Sequence, residues 1–185
     1  MNDDRLVKEC LKNNSAAQRL LYDRFASSML AVCYRYTKSV ADAEDVLQEG
    51  FVKAFKNLQQ YKGEGELGAW IRRIMVTTAI NFLKKNSRYN TEMVFGEGHL
   101  HAVSTQHPQL NIEAKELADL IRQLPAGYQT VFNLYAVEGY NHIEIGKILG
   151  IQEGTSRSQY ARARALLIHW VEQKPNEHKS TAYAK

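Results

Sequence analysis

Three arginines occur without an acid in the segment GTSRSQYARARALL, residues 154–167. Arginine binds phosphate oxygens and forms paired hydrogen bonds with guanine, and short neighbouring side chains let a helix backbone lie close to bases. At about 100° per residue, the side chains suited to packing share one helical face: Ser156, Tyr160, Ala163 and Leu167. Short or basic side chains share the other: Arg157, Ser158, Ala161, Arg162 and Ala165.

The segment before these arginines indicates how a helix could present them. Asn141 and Glu144 have the spacing of a capping box, and Gly150 marks a helix end. A helix, a glycine-containing turn and a second helix are typical of a helix-turn-helix, whose second helix enters the major groove of DNA. An arginine-rich face could also be merely solvated, but the helix-turn-helix spacing favours DNA binding.

A second face combines an aromatic side chain with polar and basic ones. Its members lie within about 80° of one another on a helix: Trp70, Arg73, Thr77, Asn81 and Lys84. This is the composition of a surface that stacks on unpaired bases and neutralises phosphates. A tryptophan at the start of a helix is more often a core residue, so the face taken alone favours a core position for Trp70 over a base-stacking one.

A third face is acidic. Asp42, Asp45 and Glu49 lie almost opposite an apolar stripe, and their charge would repel DNA. Two interpretations stay open: a solvated helix face, or a surface that docks on a basic protein. The apolar stripe opposite them is predicted to be core: Leu47, Phe51, Ala54, Phe55 and Leu58.

These faces need helices to position them, and we predict an all-α protein of two small helical domains joined by a flexible linker. Only three prolines occur in 185 residues, and good helix formers are abundant. Periodicity and capping signals predict helices over about 15–37, 39–58, 69–85, 112–123, 126–137, 141–149 and 153–172. In the segment 126–137 the side chains predicted to be buried are Val131, Phe132, Leu134 and Tyr135.

Other features argue against several protein classes. The polar, acidic opening is unlike a signal peptide and the longest apolar run, residues 29–34, is too short for a membrane span, so we expect a cytoplasmic protein without membrane insertion. Cys10 and Cys33 are expected to be reduced thiols in helices. His99 and His101 lack further clustered ligands, and no catalytic or nucleotide-binding motif occurs. We therefore expect no metal, no cofactor and no enzymatic activity.

Two blocks of the sequence resemble bacterial sigma factors. DAEDVLQEGFVKAFKNL (42–58), followed by GAWIRRIMVTTAINFLKK (68–85), resembles their second domain, and residues 124–167 resemble their fourth. With only these two domains, the chain resembles the extracytoplasmic-function group of the sigma-70 family. The resemblance implies domain 2 at 1–87, a linker at 88–111, domain 4 at 112–174 and a disordered tail at 175–185.

The resemblance also implies roles for three surfaces. An acidic face would bind the β′ clamp helices of core RNA polymerase: Asp42, Glu44, Asp45, Gln48 and Glu49. An aromatic-basic stripe would capture the melted −10 element of promoter DNA: Tyr61, Lys62, Trp70, Arg73, Thr77, Asn81 and Lys84. A recognition face would read the −35 element: Thr155, Arg157, Ser158, Ala161 and Arg162. Further implied partners are the polymerase β flap and an anti-sigma factor.

This sequence departs from the family pattern at three of these helical positions. Thr77 stands where many members have Asn, Gln159 where Arg is common, and Ser156 where Val is common. A buried hydroxyl without a partner costs on the order of 1 kcal/mol, so we predict that Ser156 bonds to a local carbonyl.

The predicted function is that of a dissociable sigma factor, which binds core polymerase, directs it to promoters and promotes DNA melting. The alternative is a free-standing helix-turn-helix regulator that binds duplex operator DNA without polymerase. A third possibility is a protein-interaction module whose basic faces are only solvated.

Overall fold

A computed structural model describes residues 2–85 and 114–173, and these residues contain α-helices and no strand. The predicted all-α class is confirmed. The chain divides between residues 91 and 92 into two compact units. The predicted linker at 88–111, with His99 and His101, and the predicted tail at 175–185 lie outside the described residues.

Four α-helices form the first unit over residues 2–85: α1 (Asp3–Leu11), α2 (Ser15–Tyr34), α3 (Val40–Asn57) and α4 (Leu67–Lys85). Asparagine and serine caps set where helices begin, because their side chains accept hydrogen bonds from otherwise unpaired backbone N–H groups. Asn14 Oδ1 accepts from the N–H groups of Ala16 and Ala17 at 3.0 and 3.2 Å, and Ser39 Oγ accepts from Asp42 N at 3.1 Å.

The core of the first unit lies between α2, α3 and α4. The predicted stripe is buried at Leu47, Phe51 and Ala54 of α3 and at Leu58 just after it, with Phe55 partly buried at its edge. Gly50 of α3 lies directly against the buried Met75 side chain of α4, where an added Cβ would overlap the Met75 sulfur. The absence of a side chain at Gly50 therefore sets how closely α3 and α4 pack.

Helix α1 was not predicted, because a nine-residue polar helix has little stability of its own. It forms because Leu6, Val7 and Cys10 are buried against α2 and the 3₁₀ turn at Leu58–Gln60. Cys10 and Cys33 are both free and buried, and burial raises the pKa of the Cys33 thiol to about 12. Neither thiol is therefore ionised near neutral pH.

The second unit contains, over residues 114–173, the helices α5 (Ala114–Gln123), α6 (Ala126–Phe132), α7 (His142–Leu149) and α8 (Glu153–Gln173). Its core joins α5, α6 and α8 through the buried side chains Leu120, Ile121, Leu124, Tyr128, Ala163 and Leu167. The helices predicted over 141–149 and 153–172 agree with the observed α7 and α8 to within one residue at each end.

The segment predicted as one helix over 126–137 changes geometry halfway. Helix α6 passes at Asn133 into a π-helical turn that extends to Val137. A π turn widens the helix and rotates the side chains after it. The prediction that Tyr135 is buried is therefore wrong: Tyr135 is 39% exposed, whereas Val131 and Leu134 are fully buried.

The predicted helix-turn-helix is formed by α7 and α8. Asn141 and Glu144 make both arms of the predicted capping box, with Asn141 Oδ1 accepting from Glu144 N at 2.9 Å. Gly150 ends α7 with a φ of 73°, the left-handed conformation that glycine adopts without strain. Among the described residues, no helix combines the length and apolarity needed to cross a membrane.

Candidate DNA and protein-docking surfaces

The recognition face lies on the outer side of α8, near its first turns. Arg157, Ser158 and Ala161 are exposed, and Thr155 and Arg162 are partly exposed. The packing side predicted for this helix is also observed, since Ser156, Ala163 and Leu167 are buried and Tyr160 is partly buried. Gln159 is only 4% exposed, so it is part of the interior and not of the recognition face.

An acid that the sequence reasoning missed lies beside the recognition face. Glu153, one residue before the arginine-rich segment, accepts a hydrogen bond at 2.9 Å from the Arg157 Nε and also pairs with its terminal nitrogen. The spacing of four residues on a helix could have indicated this pair. An exposed pair of this kind contributes only about 0.3–0.5 kcal/mol, so a phosphate or guanine could take the place of Glu153.

The predicted partner of Ser156 is wrong. Its hydroxyl shares a hydrogen bond of 2.9 Å with the Nδ1 of His142, the first residue of α7, and not with a local carbonyl. Both side chains are buried, and the imidazole stacks on Tyr135 with ring centroids 4.4 Å apart. The two residues are 14 apart in sequence, so no local pattern could have indicated the contact.

The aromatic-basic stripe lies along one side of α4 and the loop before it. The structure brings its seven predicted members to the surface: Lys62, Arg73, Thr77, Asn81 and Lys84 are exposed, and Tyr61 and Trp70 are partly exposed. Trp70 is therefore not a core residue. The Thr77 hydroxyl donates to the backbone carbonyl of Arg73 at 2.9 Å, so its remaining capacity is as an acceptor.

Tyr61 and Trp70 form an aromatic pair at the end of this stripe. Their ring centroids are 5.8 Å apart with the planes inclined at 56°, and the Tyr61 hydroxyl donates to the Gly65 carbonyl at 2.7 Å. This hydrogen bond holds the glycine-rich loop against the aromatic ring. The pair therefore offers a partly exposed, fixed aromatic surface on which a base could stack.

Two acids of α1 lie close to this loop. Asp3 forms an ion pair of 2.7 Å with Arg24 of α2, and a Cβ at Gly63 would lie 3.8 Å from an Asp4 carboxylate oxygen. Partial burial, followed by the charges of Asp3 and Asp4, raises the pKa of the Tyr61 hydroxyl. This proximity could not be predicted from the sequence, because α1 was not predicted.

The acidic face lies on the side of α3 away from the core. Glu44, Asp45, Gln48 and Glu49 are exposed and Asp42 is partly exposed. Glu49 forms an ion pair of 2.6 Å with Lys53, and this hydrogen bond lowers the pKa of Glu49. Next to these acids, Val52 is 51% exposed, so the face combines negative charge with an apolar side chain.

Metal ligation finds no support in the described part of the chain. Within residues 2–85 and 114–173, no group of three His, Cys, Asp or Glu side chains is placed to hold a metal ion.

Family comparisons match both units. The family described as Sigma-70 region 2 matches residues 21–89, and Sigma-70, region 4 matches residues 114–167, which together exceed half of the chain. The ECF RNA polymerase sigma-E factor of Haemophilus influenzae is 30% identical over an alignment of 183 residues, which covers 93% of this chain and 96% of that protein. The RNA polymerase sigma-H factor of Pseudomonas aeruginosa is 28% identical over 173 residues, covering 88% and 90%.

Solved structures share the fold. The sigma factor RpoE of Bartonella quintana, in complex with the anti-sigma factor NepR, matches with a TM-score of 0.51 and 18% identity, over 85% of this chain and 98% of that one. CnrH, in complex with the cytosolic domain of CnrY, matches with a TM-score of 0.51 and 20% identity, over 94% and 99%.

Proposed function

Because this chain belongs to the extracytoplasmic-function group of the sigma-70 family, we propose that its three surfaces divide the recognition of a promoter between them. The chain is a dissociable sigma factor, which binds core RNA polymerase and directs it to promoters. The assignment of residues to each task rests on their exposure and chemistry.

The recognition face is proposed to read the −35 element as duplex DNA. One side of α8 is buried within the helix-turn-helix unit. Arg157, Ser158 and Ala161 are exposed on the opposite side of this helix. Short side chains between arginines let the helix lie deep in the major groove, where arginine reaches guanine edges or phosphates. Arg157 would exchange its Glu153 partner for DNA on binding.

The aromatic-basic stripe is proposed to capture the unpaired −10 strand. Stacking of a base on an aromatic side chain contributes about 1–3 kcal/mol, and exposed cations along α4 would follow the backbone phosphates. No hydrolysis is needed, because trapping of transiently unpaired bases shifts the melting equilibrium. The observation that carries this assignment is the fixed, partly exposed Tyr61–Trp70 pair in line with Arg73 and Asn81.

The acidic face is proposed to bind a basic surface of the polymerase, the β′ clamp helices, while the second unit contacts the β flap. Its exposed carboxylates would repel DNA, which separates it in function from the other two surfaces. The exposed Val52 would supply apolar contact within a charged rim, the usual composition of a protein interface.

Regulation by an anti-sigma factor is part of this proposal, since two of the structural relatives were solved with such a protein or a cytosolic partner domain. We expect the chain to act in the cytoplasm, where the polymerase is. Its role is binding and not catalysis: the polymerase forms the bonds.

The test is in-vitro transcription with core RNA polymerase on a library of promoter fragments. The native chain is compared with the variant Asp45→Lys, Glu49→Lys. Discrete start sites are expected with the native chain, and a loss of at least about tenfold with the variant, since reversed charges would repel a basic partner. Glu49→Lys replaces the exposed pair with Lys53 by a like-charge pair, which together lower the free energy of unfolding by no more than about 1 kcal/mol, so we expect the variant to remain folded.

A charge-matched control is Asp119→Lys, Glu172→Lys, which makes the same change in net charge at exposed positions of α5 and α8. It should retain transcription from the same start sites. Equal loss in both variants would contradict the docking role of the acidic face. Transcripts absent with the native chain, together with salt-dependent binding to duplex DNA, would support the free-standing regulator instead.

A further inference from the structure

We propose that His142 is a positioning residue for −35 recognition: its hydrogen bond to Ser156 fixes the start of α8, and a positive charge on its imidazole releases it. This proposal rests on the proposed function, because it concerns the helix that would read the −35 element. His142 itself would not touch DNA.

The geometry places this hydrogen bond where it controls α8. His142 is the first residue of α7, and Ser156 lies in the first turn of α8, immediately before Arg157. Their 2.9 Å bond therefore joins the beginnings of the two helices of the helix-turn-helix. His142 is 9% exposed and Ser156 is fully buried, so water cannot readily replace either partner.

Aromatic rings fix the orientation of the imidazole. Tyr135 stacks on His142 with an interplanar angle of 11° and a centroid distance of 4.4 Å, and Tyr160 of α8 lies at 5.9 Å with an angle of 59°. The π-helical turn at Asn133–Val137 brings Tyr135 to this position. The ring is thus held on three sides by the π turn, Tyr160 and Ser156.

A charge on His142 would be unfavourable in this environment. The positive end of the α7 dipole lies at its first residue. Burial, and then the charge of Arg157, lowers the pKa of His142 below its ordinary value of 6.5, while Glu153 acts in the opposite direction. Tyr135 and Tyr160 contact the imidazole with their rings. Glu144, two residues further along α7, has its carboxylate engaged by the backbone N–H of Asn141.

The direction of the pH effect follows from this lowered pKa. Below pH 6.5 the unfolded chain binds a proton at this histidine more readily than the folded chain. The contribution of neutral His142 is therefore complete above that pH. It decreases as the pH falls through the interval between 6.5 and the lower folded value. In the folded chain the imidazole gains its charge as the pH approaches the lowered folded value, so the recognition face should weaken at the acidic end of this interval and below it, since Arg157 follows Ser156 directly.

The experiment measures how strongly transcription depends on the −35 element. The holoenzyme is tested on a promoter fragment selected with the native chain and on the same fragment with a scrambled −35 sequence, between about pH 7.5 and about pH 5.5. The ratio of the two transcript yields is taken at each pH for each protein. The pH dependence of the polymerase itself cancels in this ratio.

Two substitutions separate the hydrogen bond from the ring. His142→Phe retains stacking but loses the bond, and should lower the ratio roughly five- to tenfold at every pH. His142→Asn places an amide near the Nδ1 position and should retain most of the ratio at about pH 7.5. The decrease of the ratio on acidification should be seen with the native chain and be absent with both variants.

Two further variants serve as checks. Ser156→Ala removes the partner and should reproduce the loss seen with His142→Phe, which keeps the proposal testable if the larger replacement does not fold. His169→Asn alters an exposed histidine of α8 and should leave both the ratio and its pH profile unchanged.

The outcomes are distinct. A native ratio that is unaffected by His142→Phe and Ser156→Ala, or a pH profile that persists in His142→Asn, would overturn the role of His142 and leave the sigma function intact. Absence of any discrete start with the native chain would overturn the sigma function and this proposal together.

Discussion

Gly146 offers the sharpest test of how the helix-turn-helix is built. It lies inside α7, where a Cβ would be 2.8 Å from the backbone carbonyl oxygen of Ile151 in the turn. The Gly146 carbonyl also accepts the N–H groups of Gly150 and Ile151 at 2.9 and 3.0 Å. Gly146→Ala therefore places a methyl group against the backbone of the turn, and no side chain can rotate away to relieve the contact.

The expected magnitude is a balance of two opposing effects. Alanine in a helix interior is more favourable than glycine by about 0.5–1 kcal/mol. A contact between carbon and oxygen needs about 3.3 Å, so the turn must move by roughly 0.5 Å and weaken the hydrogen bonds to the Gly146 carbonyl. Overpacking of this kind costs about 1–3 kcal/mol. The net expectation is a destabilisation of about 0–2.5 kcal/mol, with a central value of about 1 kcal/mol.

Tryptophan fluorescence can follow the second unit alone. The chain has two tryptophans, and in a Trp70→Phe background only Trp170, which packs against the core of the second unit, reports on unfolding. With a urea dependence of about 1–1.5 kcal/mol per molar for so small a unit, the midpoint should fall by about 1 M in Gly146→Ala.

Gly154→Ala is the matched control. Gly154 lies in α8 and is exposed, and a Cβ there would have no neighbour within 4 Å. The same substitution should raise the midpoint, because only the helix preference of alanine acts, with a gain of up to about 1 kcal/mol. A midpoint that rises in both variants would refute the close approach of α7 to the turn.

Two further substitutions test the first unit. Gly50→Ala would insert a methyl group against the buried Met75 and should lower the free energy of unfolding of this unit by about 1–3 kcal/mol, measured in urea. If the two side chains compete for one space, the double variant with Met75→Ala should lose less than the sum of the two single losses, and additive losses would contradict the close contact. Asp3→Asn breaks the partly exposed pair with Arg24, and should lower the free energy of unfolding in urea by less than about 1 kcal/mol at low salt and by almost nothing at high salt. A large loss of this free energy at both salt concentrations would contradict a surface pair.

Some helices have their ends and faces specified by interactions between residues three or four apart. These helices could be predicted from the sequence. The Asn141–Glu144 capping box, the end of α7 at Gly150 and the outward direction of Arg157 all follow from caps and periodicity. The pair of Glu153 and Arg157 is also local, at a spacing of four, and could have been predicted by extending the segment by one residue.

Features that depend on packing between distant segments could not be predicted. Helix α1 is too short and polar to be stable alone, and forms because α2 and the 3₁₀ turn bury its apolar residues. The π turn, with Tyr135 at the surface, interrupts a regular periodicity that predicts an uninterrupted helix.

The sequence by itself determined the helical class, the positions of most helices and which side chains are candidates for contact with DNA or polymerase. Only the tertiary structure decided that His142 meets Ser156 across 14 residues and that Gln159 is buried. The physical reason is range. Hydrogen bonds within a helix or cap join residues up to four apart and are encoded locally, whereas the partner of a buried polar group depends on which helices the whole core brings together.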